Sequence, residues 1–208
     1  NLAGEPLKRE LVQEAYAKLD VDIIRNLYGP TEDTTYSTGY RCPRDAVHPP
    51  LIGRPIANTK AYIVDQCLKP VPLGVCGEIY LSGHDLARGY WNAPEKTAQR
   101  FVPNPFHPSF CPVMYKTGDL GKWLPDTNIE FHGRVDYQVK IRGNRIELGE
   151  IEARLARHDA IRDIAVIDRD DAQGNKHLVA YYVADAELSI TDLRAFIKET
   201  LPDYMVPS

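Results

Sequence analysis

The chain has 208 residues, of which 43% are hydrophobic and 26% are charged. These ordinary proportions exclude a disordered chain, and no apolar run approaches the roughly 20 residues of a membrane-spanning helix. With 25 lysines and arginines against 29 aspartates and glutamates, the net charge of −4 argues against nucleic acid as the partner.

The cysteines and histidines show no metal or redox motif. The four cysteines have no CxxC spacing, and the six histidines form no HExxH pair. We therefore expect free thiols in a reducing cytoplasm. The opening residues, NLAGEPLKRELVQEA, lack the basic start and apolar run of a signal peptide, and we expect the chain to begin and end inside a longer protein.

The first predicted element is an amphipathic helix with Pro6 in its first turn. Its predicted apolar face consists of four positions at a spacing of four: Leu7, Leu11, Ala15 and Leu19. A short strand, VDIIRNL, follows the helix. The segment NLYGPTE, residues 26 to 32, lies at the carboxyl end of this strand, where α/β proteins usually place ligand-binding loops.

This segment combines the groups that a nucleotide needs. Tyr28 can stack on a planar base, and Gly29 lets the backbone approach a ligand closely. Thr31 can donate to a phosphate oxygen, and Glu32 can hold Mg²⁺ against it. The alternative is structural: Gly-Pro is then a turn, Tyr28 a core ring and Glu32 a solvated charge.

A second pattern extends from Gly53 to about Arg134. Short strands (AYIVD, GEIYLSG, GKWL, NIEFHGR) alternate with Pro/Gly turns, which predicts a small, mostly antiparallel barrel interrupted by the helix PEKTAQRF. Within it, YKTGDL places Asp119 after Gly118 in a predicted loop, where a carboxylate can accept both hydroxyls of a ribose. Alternatively, Asp119 caps a turn, and spacing alone favours that interpretation.

The segment SGHDLARGYWN places His84 beside Asp85, with Arg88 nearby. A His-Asp pair suggests catalysis, but no serine or cysteine nucleophile with a recognisable elbow accompanies it. Turn chemistry is therefore the favoured interpretation.

A third pattern begins at Asp136, where we place a boundary between domains 1–135 and 136–208. An alternating strand, YQVKIRG, precedes the helix GEIEARLARH, the strands DIAVID and HLVAYYV, and a last helix. Ser189 with Asp192 resembles a capping box at the start of that helix. The stripe of the last helix that we expect to be buried is Leu193, Phe196, Ile197 and Leu201. The sequence thus predicts a second, α+β domain.

The segment around the domain boundary is rich in basic residues. The segment GRVDYQVKIRGNRIELGEIE, residues 133 to 152, contains Arg134, Lys140, Arg142 and Arg145. Arg134 could reach a phosphate or a ribose from one side, and Asp136 could be a hinge. A charged edge strand that resists aggregation explains the same residues, and composition does not choose between the two.

Five motifs, taken in chain order, resemble those of a known family. NLYGPTE, GEIYLSGHDLARGYWNAPEKTAQRF, YKTGDL, GRVDYQVKIRGNRIELGEIE and LPDYMVPS closely resemble the later half of the adenylation domains of nonribosomal peptide synthetases, over essentially the whole chain. The resemblance implies an α/β and α+β fold. Residues 1–135 would be the last part of a large adenylation core with a small distorted antiparallel β-barrel, and residues 136–208 an incomplete, smaller α+β C-terminal subdomain.

The resemblance also implies a two-step reaction. An amino acid and ATP form aminoacyl-AMP and pyrophosphate, and the phosphopantetheine thiol of a peptidyl carrier domain then takes the aminoacyl group. Glu32 would bind Mg²⁺ and act with Thr31 in catalysis, Asp136 would be the hinge, and the turn around Gly143 would face the pantetheine arm. The residues implied in ATP and AMP binding are Gly4, Asn26, Tyr28, Gly29, Thr31, Asp119, Arg134 and Lys140.

The same resemblance implies an amino-acid pocket lined by Asn1, Ala3, Leu27, Thr35 and Tyr36. Leu27 and Tyr36 would fill space, so a small substrate such as alanine is implied. The family's phosphate loop and amine-binding acid lie upstream, and its carboxylate-binding lysine lies downstream. We therefore expect the 208-residue chain alone to be inactive and to act beside neighbouring synthetase domains.

Two alternatives stay open. An acyl-CoA or aryl-acid ligase of the same superfamily shares the YGPTE-like and TGD loops, but QVKIRGNRIELGEIE is more similar to the carrier-protein branch. A noncatalytic module that only docks a carrier protein is the other alternative, and the retained Thr31, Glu32 and Asp119 argue against it.

Overall fold

The computed structural model describes residues 1–136, 138–171 and 175–208 and has the mixed α/β fold that the sequence predicts. It divides into two compact units, Asn1–Val135 and Asp136–Ser208. Within the described residues, no helix has the length and apolar character needed to cross a membrane.

A four-stranded sheet opens the first unit. Its strands are, in sheet order, β1 (Leu2–Ala3), β2 (Ile24–Tyr28), β3 (Thr38–Cys42) and β4 (Arg54–Pro55). β1 runs parallel to β2, and the other pairs are antiparallel. Helix α1 (Arg9–Lys18) contributes Val12 to a core that it shares with Ile24 and Cys42 of this sheet.

The buried face of α1 differs from the predicted one. Of the four predicted positions, Leu7 and Ala15 pack against the core, but Leu11 and Leu19 are 50% and 59% exposed. Val12 is buried instead, and Tyr16 also packs beside it. Positions at a spacing of four drift by roughly 40° per step around a helix of 3.6 residues per turn, so four of them do not share one narrow face. Val12, Ala15 and Tyr16 have the i, i+3, i+4 spacing that does.

The second sheet of this unit is five-stranded and curled into a half-barrel, which confirms the predicted architecture. Its strands are β5 (Thr59–Val64), β6 (Gly77–Gly83), β7 (Phe101–Pro103), β8 (Val113–Trp123) and β9 (Ile129–Arg134). β6 pairs with both β5 and β8, while β8 pairs with β7 along its first residues and with β9 along its last. The predicted helix α2 (Pro94–Arg100) precedes β7.

Asp119 lies in a different element from the predicted one. The sequence places Asp119 in a loop, but it lies inside the 11-residue strand β8, opposite Arg134 of β9. The register of β8 shifts at this point, and Gly118 has a φ of +78°. A glycine of positive φ beside a register shift is typical of a β-bulge, which re-aims a side chain without ending the strand. The loop prediction and its turn-capping alternative are therefore both wrong.

The second unit begins with a hairpin. Its strands, β10 (Gln138–Ile141) and β11 (Asn144–Glu147), are joined by Arg142 and Gly143. These two residues have φ values of +52° and +77°, and a two-residue turn of the type I′ class requires positive φ at both positions. Tyr137, the first residue of the predicted strand YQVKIRG, lies outside the described residues.

Two helices and a β-ribbon complete this unit. They are α3 (Leu148–Leu155), β12 (Ile161–Asp170), β13 (Lys176–Ala184) and α4 (Ile190–Lys198), and β12 pairs antiparallel with β13. Their shared core includes Ile146, Ile151, Leu155, Val166, Leu178, Leu193 and Ile197. The predicted cap of α4 is present, since Asp192 N donates to Ser189 Oγ at 3.4 Å. Phe196 is less buried than predicted, and the Arg154 guanidinium lies 3.6 Å from the centre of its ring.

Candidate functional site

The first cluster of the candidate site consists of Tyr28, Asp119 and Arg134, at the ends of β2 and β9 and on the bulge of β8. The Tyr28 hydroxyl donates to Asp119 Oδ2 at 2.5 Å, and Arg134 Nη1 donates to Asp119 Oδ1 at 2.6 Å. The side chains of Asp119 and Arg134 are 10% and 14% exposed. Three residues that the sequence assigns to one nucleotide therefore meet at one point of the fold.

Local hydrogen bonds fix the backbone of this cluster. The Asp119 amide donates to Thr117 Oγ1 at 2.9 Å, and the Thr117 hydroxyl donates to the Ile79 carbonyl at 2.6 Å. Arg134 Nη2 donates to the Thr117 carbonyl at 3.2 Å. Burial, followed by the charge of Asp119, raises the pKa of Tyr28 well above its ordinary value of 10.0, so Tyr28 stays a hydrogen-bond donor at neutral pH.

The second cluster surrounds Glu32, which lies on a 3-10 turn, Thr31–Asp33. Glu32 is only 8% exposed. The Tyr90 hydroxyl donates to Glu32 Oε1 at 2.6 Å, and the Ala87 amide donates to the Glu32 carbonyl at 2.8 Å. Glu32 is therefore a buried carboxylate held by another segment of the chain, which differs from the solvated charge of the structural alternative.

Sequence reasoning missed Tyr90 and instead selected His84, Asp85 and Arg88 from the same segment. His84 packs edge-on against Phe110 at 5.1 Å, and the Asp85 carbonyl accepts a hydrogen bond, contacts that fit the turn interpretation. Tyr90 is 58 residues from Glu32 in sequence, so no local pattern connects them. Burial, together with the hydrogen bond to Glu32, raises the pKa of Tyr90 far above its ordinary value, so Tyr90 also stays a donor.

Asp33 is a second buried carboxyl that sequence reasoning missed. It is fully buried, and in the described part of the chain neither carboxyl oxygen has a hydrogen-bond partner. Burial raises the pKa of Asp33; the Ser37 hydroxyl, close by but outside hydrogen-bond geometry, opposes this rise, and the charge of Asp85 adds to it. The fold thus makes the Asp33 carboxyl harder to ionise than that of a free aspartate.

Gly29 is required by the chain's own backbone. A Cβ at this position would lie 2.6 Å from the Thr35 carbonyl oxygen and 2.7 Å from both Ser37 N and Tyr36 Cα. The sequence suggested that Gly29 permits close approach to a ligand. The structure gives it a different role, because the space beside its Cα is filled by the turn at residues 35–37.

We expect Gly29→Ala to lower the free energy of unfolding by about 2 to 3 kcal/mol, because the added methyl group overpacks against backbone that has little room to move. The measurement is urea denaturation of the complete protein that contains this chain. Gly149→Ala is the control, since the space around Gly149 is open and it lies in α3, where alanine is favoured over glycine. Equal stability of the two variants would contradict this role of Gly29.

The other predicted nucleotide residues of the first unit lie on β2 or shortly after β1 and β2 in the chain. Gly4 follows β1 with a φ of +96° and open space beside its Cα. Asn26 is buried on β2, and its Nδ2 donates to the Leu51 carbonyl at 2.8 Å. Thr31 is exposed at the start of the 3-10 turn.

Two predicted residues lie in the second unit. Lys140 is on β10, opposite Arg145 of β11. Asp136 opens the unit, and its Oδ1 accepts a hydrogen bond from Gln138 N at 3.3 Å.

The predicted pocket residues fall into two groups. The strand register places Ala3 opposite Leu27, and Leu27 opposite Gly39. Thr35 and Tyr36 follow the 3-10 turn and are exposed, as is Asn1. The structure therefore brings Ala3 and Leu27 together on neighbouring strands.

The Glu32 carboxylate fits the usual way in which proteins bind Mg²⁺. In the described ranges, no group of three or more His, Cys, Asp or Glu side chains is placed to hold a metal ion. Mg²⁺ is usually bound by one or two carboxylates together with substrate phosphates and water. A single carboxylate in a fixed orientation fits that pattern.

Two family models of AMP-binding enzymes match the chain. The family model described as AMP-binding enzyme matches residues 2–91, which include Tyr28, Glu32 and Tyr90. The model described as AMP-binding enzyme C-terminal domain matches residues 150–208.

Two curated relatives are synthetases of peptides. The chain is 51% identical over 184 residues to tyrocidine synthase 2 of Brevibacillus parabrevis, a match that covers 88% of this chain and 5% of that protein. It is 47% identical over 208 residues to the dimodular nonribosomal peptide synthase of Bacillus subtilis (strain 168), covering 100% of this chain and 9% of that protein. The chain belongs to the adenylation domains of nonribosomal peptide synthetases and spans a small part of each of these relatives.

Solved structures share the fold. The crystal structure of IdnL1 has a TM-score of 0.89 and 33% identity, over 100% of this chain and 43% of that one. The Vibrio cholerae adenylation domain AlmE, in complex with glycyl-adenosine-5'-phosphate, has a TM-score of 0.87 and 27% identity, over 100% and 40%. PA1221, a nonribosomal peptide synthetase protein containing adenylation and PCP domains, has a TM-score of 0.83 and 29% identity, over 99% and 41%.

Proposed function

We propose that this chain forms the nucleotide-binding and carrier-facing part of an adenylation domain in the cytoplasm. The complete domain activates an amino acid with ATP and passes it to a peptidyl carrier domain. The convergence of Tyr28, Asp119 and Arg134 carries the proposal, because residues distant in sequence meet in one hydrogen-bonded cluster. A ring, a carboxylate and a guanidinium match the base, the ribose and the anionic side of an adenosine phosphate.

The hydrogen bonds of Asp119 are compatible with ribose binding. A carboxylate offers about four acceptor positions, so donors from Tyr28 and Arg134 and from a ribose fit the same group. Gly4 and Asn26 flank the base in this proposal, Gly29 closes the turn behind Tyr28, and Lys140 contacts the nucleotide from the second unit.

In the first step, an oxygen of the amino-acid carboxylate attacks the α-phosphorus of ATP. The new P–O bond forms as the bond to pyrophosphate breaks, which gives aminoacyl-AMP. Such transfers are catalysed mainly by positioning and by stabilising charge on the phosphate oxygens. Thr31 donates its hydroxyl to a phosphate oxygen, and Glu32 would hold Mg²⁺, which would offset phosphate charge.

In the second step, the phosphopantetheine sulfur attacks the carbonyl carbon of aminoacyl-AMP. A thioester forms, the bond to AMP breaks, and the thiol proton is released to solvent. We propose that the second unit turns about Asp136 between the steps, so that the Arg142-Gly143 turn faces the pantetheine arm. The boundary between the two compact units at Asp136 and the adenylation and PCP domains of PA1221 support this proposal.

The proposed substrate is alanine or another small amino acid. Leu27 lies between Ala3 and Gly39 on neighbouring strands, and its Cδ2 would be 3.2 Å from a Cβ at Gly39. Tyr36 is a second large side chain, after the turn. AlmE, whose complex contains a glycyl adenylate, supports a small substrate in this fold.

We expect the complete domain to catalyse ATP–pyrophosphate exchange with alanine, with kcat/KM at least about 10-fold above the values for leucine and phenylalanine. A pocket separates substrates by about 1 to 3 kcal/mol per methylene, so larger side chains should be rejected strongly. The isolated 208-residue chain should show no exchange with any amino acid. The same assay with all three substrates and with both proteins tests these expectations.

The exchange assay, together with a measurement of ATP binding, tests each part of the proposal separately. Exchange with aryl or fatty acids in place of amino acids would favour the ligase alternative, and the absence of ATP binding by the complete domain would favour the docking module. Equal rates with alanine, leucine and phenylalanine would remove alanine. Exchange by the 208-residue chain would refute the expected inactivity.

A further inference from the structure

We propose that Tyr90 is a positioning residue that holds the Glu32 carboxylate in the orientation required by the magnesium ion of bound ATP, an inference that rests on the proposed function. The Tyr90 hydroxyl donates to Glu32 Oε1 at 2.6 Å, and Glu32 is almost fully buried. Carboxylates that ligate metals are usually held by hydrogen bonds from outside the ligand set, and losing such a bond typically costs about 10- to 100-fold in metal affinity or activity.

The ring and backbone of Tyr90 are held independently of its hydroxyl. Tyr90 N donates to Thr97 Oγ1 at 2.9 Å, and the Thr97 hydroxyl donates to the Ala93 carbonyl at 2.9 Å. The ring meets Phe101 edge-on at 5.7 Å, and Lys96 Nζ lies 4.9 Å from its centre. The ring and the backbone that position the Tyr90 hydroxyl beside Glu32 therefore have contacts that do not depend on the hydroxyl.

The segment that carries Tyr90, residues 84–93, is also attached to the Glu32 turn by its backbone. The Ala87 amide donates to the Glu32 carbonyl at 2.8 Å, and the Thr34 hydroxyl donates to the Asp85 carbonyl. Removing the Tyr90 hydroxyl leaves both of these bonds in place. Tyr90→Phe therefore tests the orientation of the carboxylate separately from the path of the chain.

The test is equilibrium ATP binding by the complete adenylation domain, titrated with Mg²⁺. We expect Tyr90→Phe to raise the Mg²⁺ concentration for half-maximal binding about 10-fold, and to leave ATP affinity in EDTA within about twofold of the wild type. Tyr62→Phe is the matched control, because it removes a hydroxyl that contacts His107 from a ring stacked on Phe106, and it should leave both values unchanged.

A double-mutant cycle separates positioning from support of the fold. In a Glu32→Gln background, Tyr90→Phe should change Mg²⁺-dependent binding less than about twofold, because residues that act together are not additive. The same loss in both backgrounds, an equal loss of ATP affinity in EDTA, or an unchanged Mg²⁺ midpoint would each overturn the proposal. A wild-type domain that binds no ATP, or binds it without any Mg²⁺ effect, would instead refute the proposed function and with it this inference.

Discussion

Glu32→Gln in the complete adenylation domain is expected to slow amino-acid-dependent ATP–pyrophosphate exchange by about 100- to 1,000-fold, the range for removing one group that stabilises transition-state charge. Glutamine keeps the size of the side chain and an oxygen that accepts from the Tyr90 hydroxyl, so the turn retains its shape. The change removes the negative charge of the carboxylate that we propose binds Mg²⁺. The loss should therefore appear in kcat, measured at saturating alanine, ATP and Mg²⁺.

Glu14→Gln is the control for Glu32→Gln. Glu14 pairs with Lys18 on the surface of α1, and its side chain is 55% exposed. Exposed pairs of this kind contribute little, so exchange should stay at the wild-type rate. A Glu32→Gln variant that kept half of the wild-type rate would show that Glu32 is structural and that the proposed magnesium site is wrong.

The sequence predicts those parts of the fold where burial follows a local period. Helix α3 buries Leu148, Ile151 and Leu155, whose spacings of three and four in the sequence place them on one helical face. In α1, Leu11 and Leu19 misled, since a spacing of four does not follow the helical pitch and the sheet instead buries Val12. A short amphipathic helix contains more than one apolar stripe, and only its partner decides which stripe is buried.

The site could be predicted to the extent that each residue lies in its own recognisable motif. Tyr28, Asp119 and Arg134 do, and the structure brings their side chains into contact. The bulge that aims Asp119 could not be predicted, because it depends on pairing with two strands from other parts of the sequence. Tyr90 was missed for a related reason. It meets Glu32 only because the segment 84–93 lies against the Glu32 turn.

Asp119→Asn is expected to lower the free energy of unfolding of the complete domain by about 3 kcal/mol, because breaking a buried ion pair costs about 3 to 5 kcal/mol. Asparagine has nearly the same size as aspartate, but one of its two side-chain atoms donates, so it cannot accept from both Tyr28 and Arg134. ATP affinity should fall about 100-fold, as expected for losing charge-assisted hydrogen bonds of about 1.5 to 3 kcal/mol each. Urea denaturation without ligand and equilibrium ATP binding measure the two effects.

Strands β8 and β9, which carry Asp119 and Arg134, also supply the control for Asp119→Asn. Lys122 of β8 and Glu130 of β9 form an ion pair at 3.4 Å whose side chains are 26% and 36% exposed. Glu130 Oε1 also lies 3.0 Å from His132 Nε2. Glu130→Gln should still cost less than about 1 kcal/mol and leave ATP binding unchanged, since such partly exposed pairs contribute little. The comparison therefore distinguishes two roles of Asp119. A variant that loses stability but keeps its ATP affinity would identify the cluster as a structural ion pair, whereas loss of ATP affinity beyond the loss of folded protein requires Asp119 to contact the nucleotide.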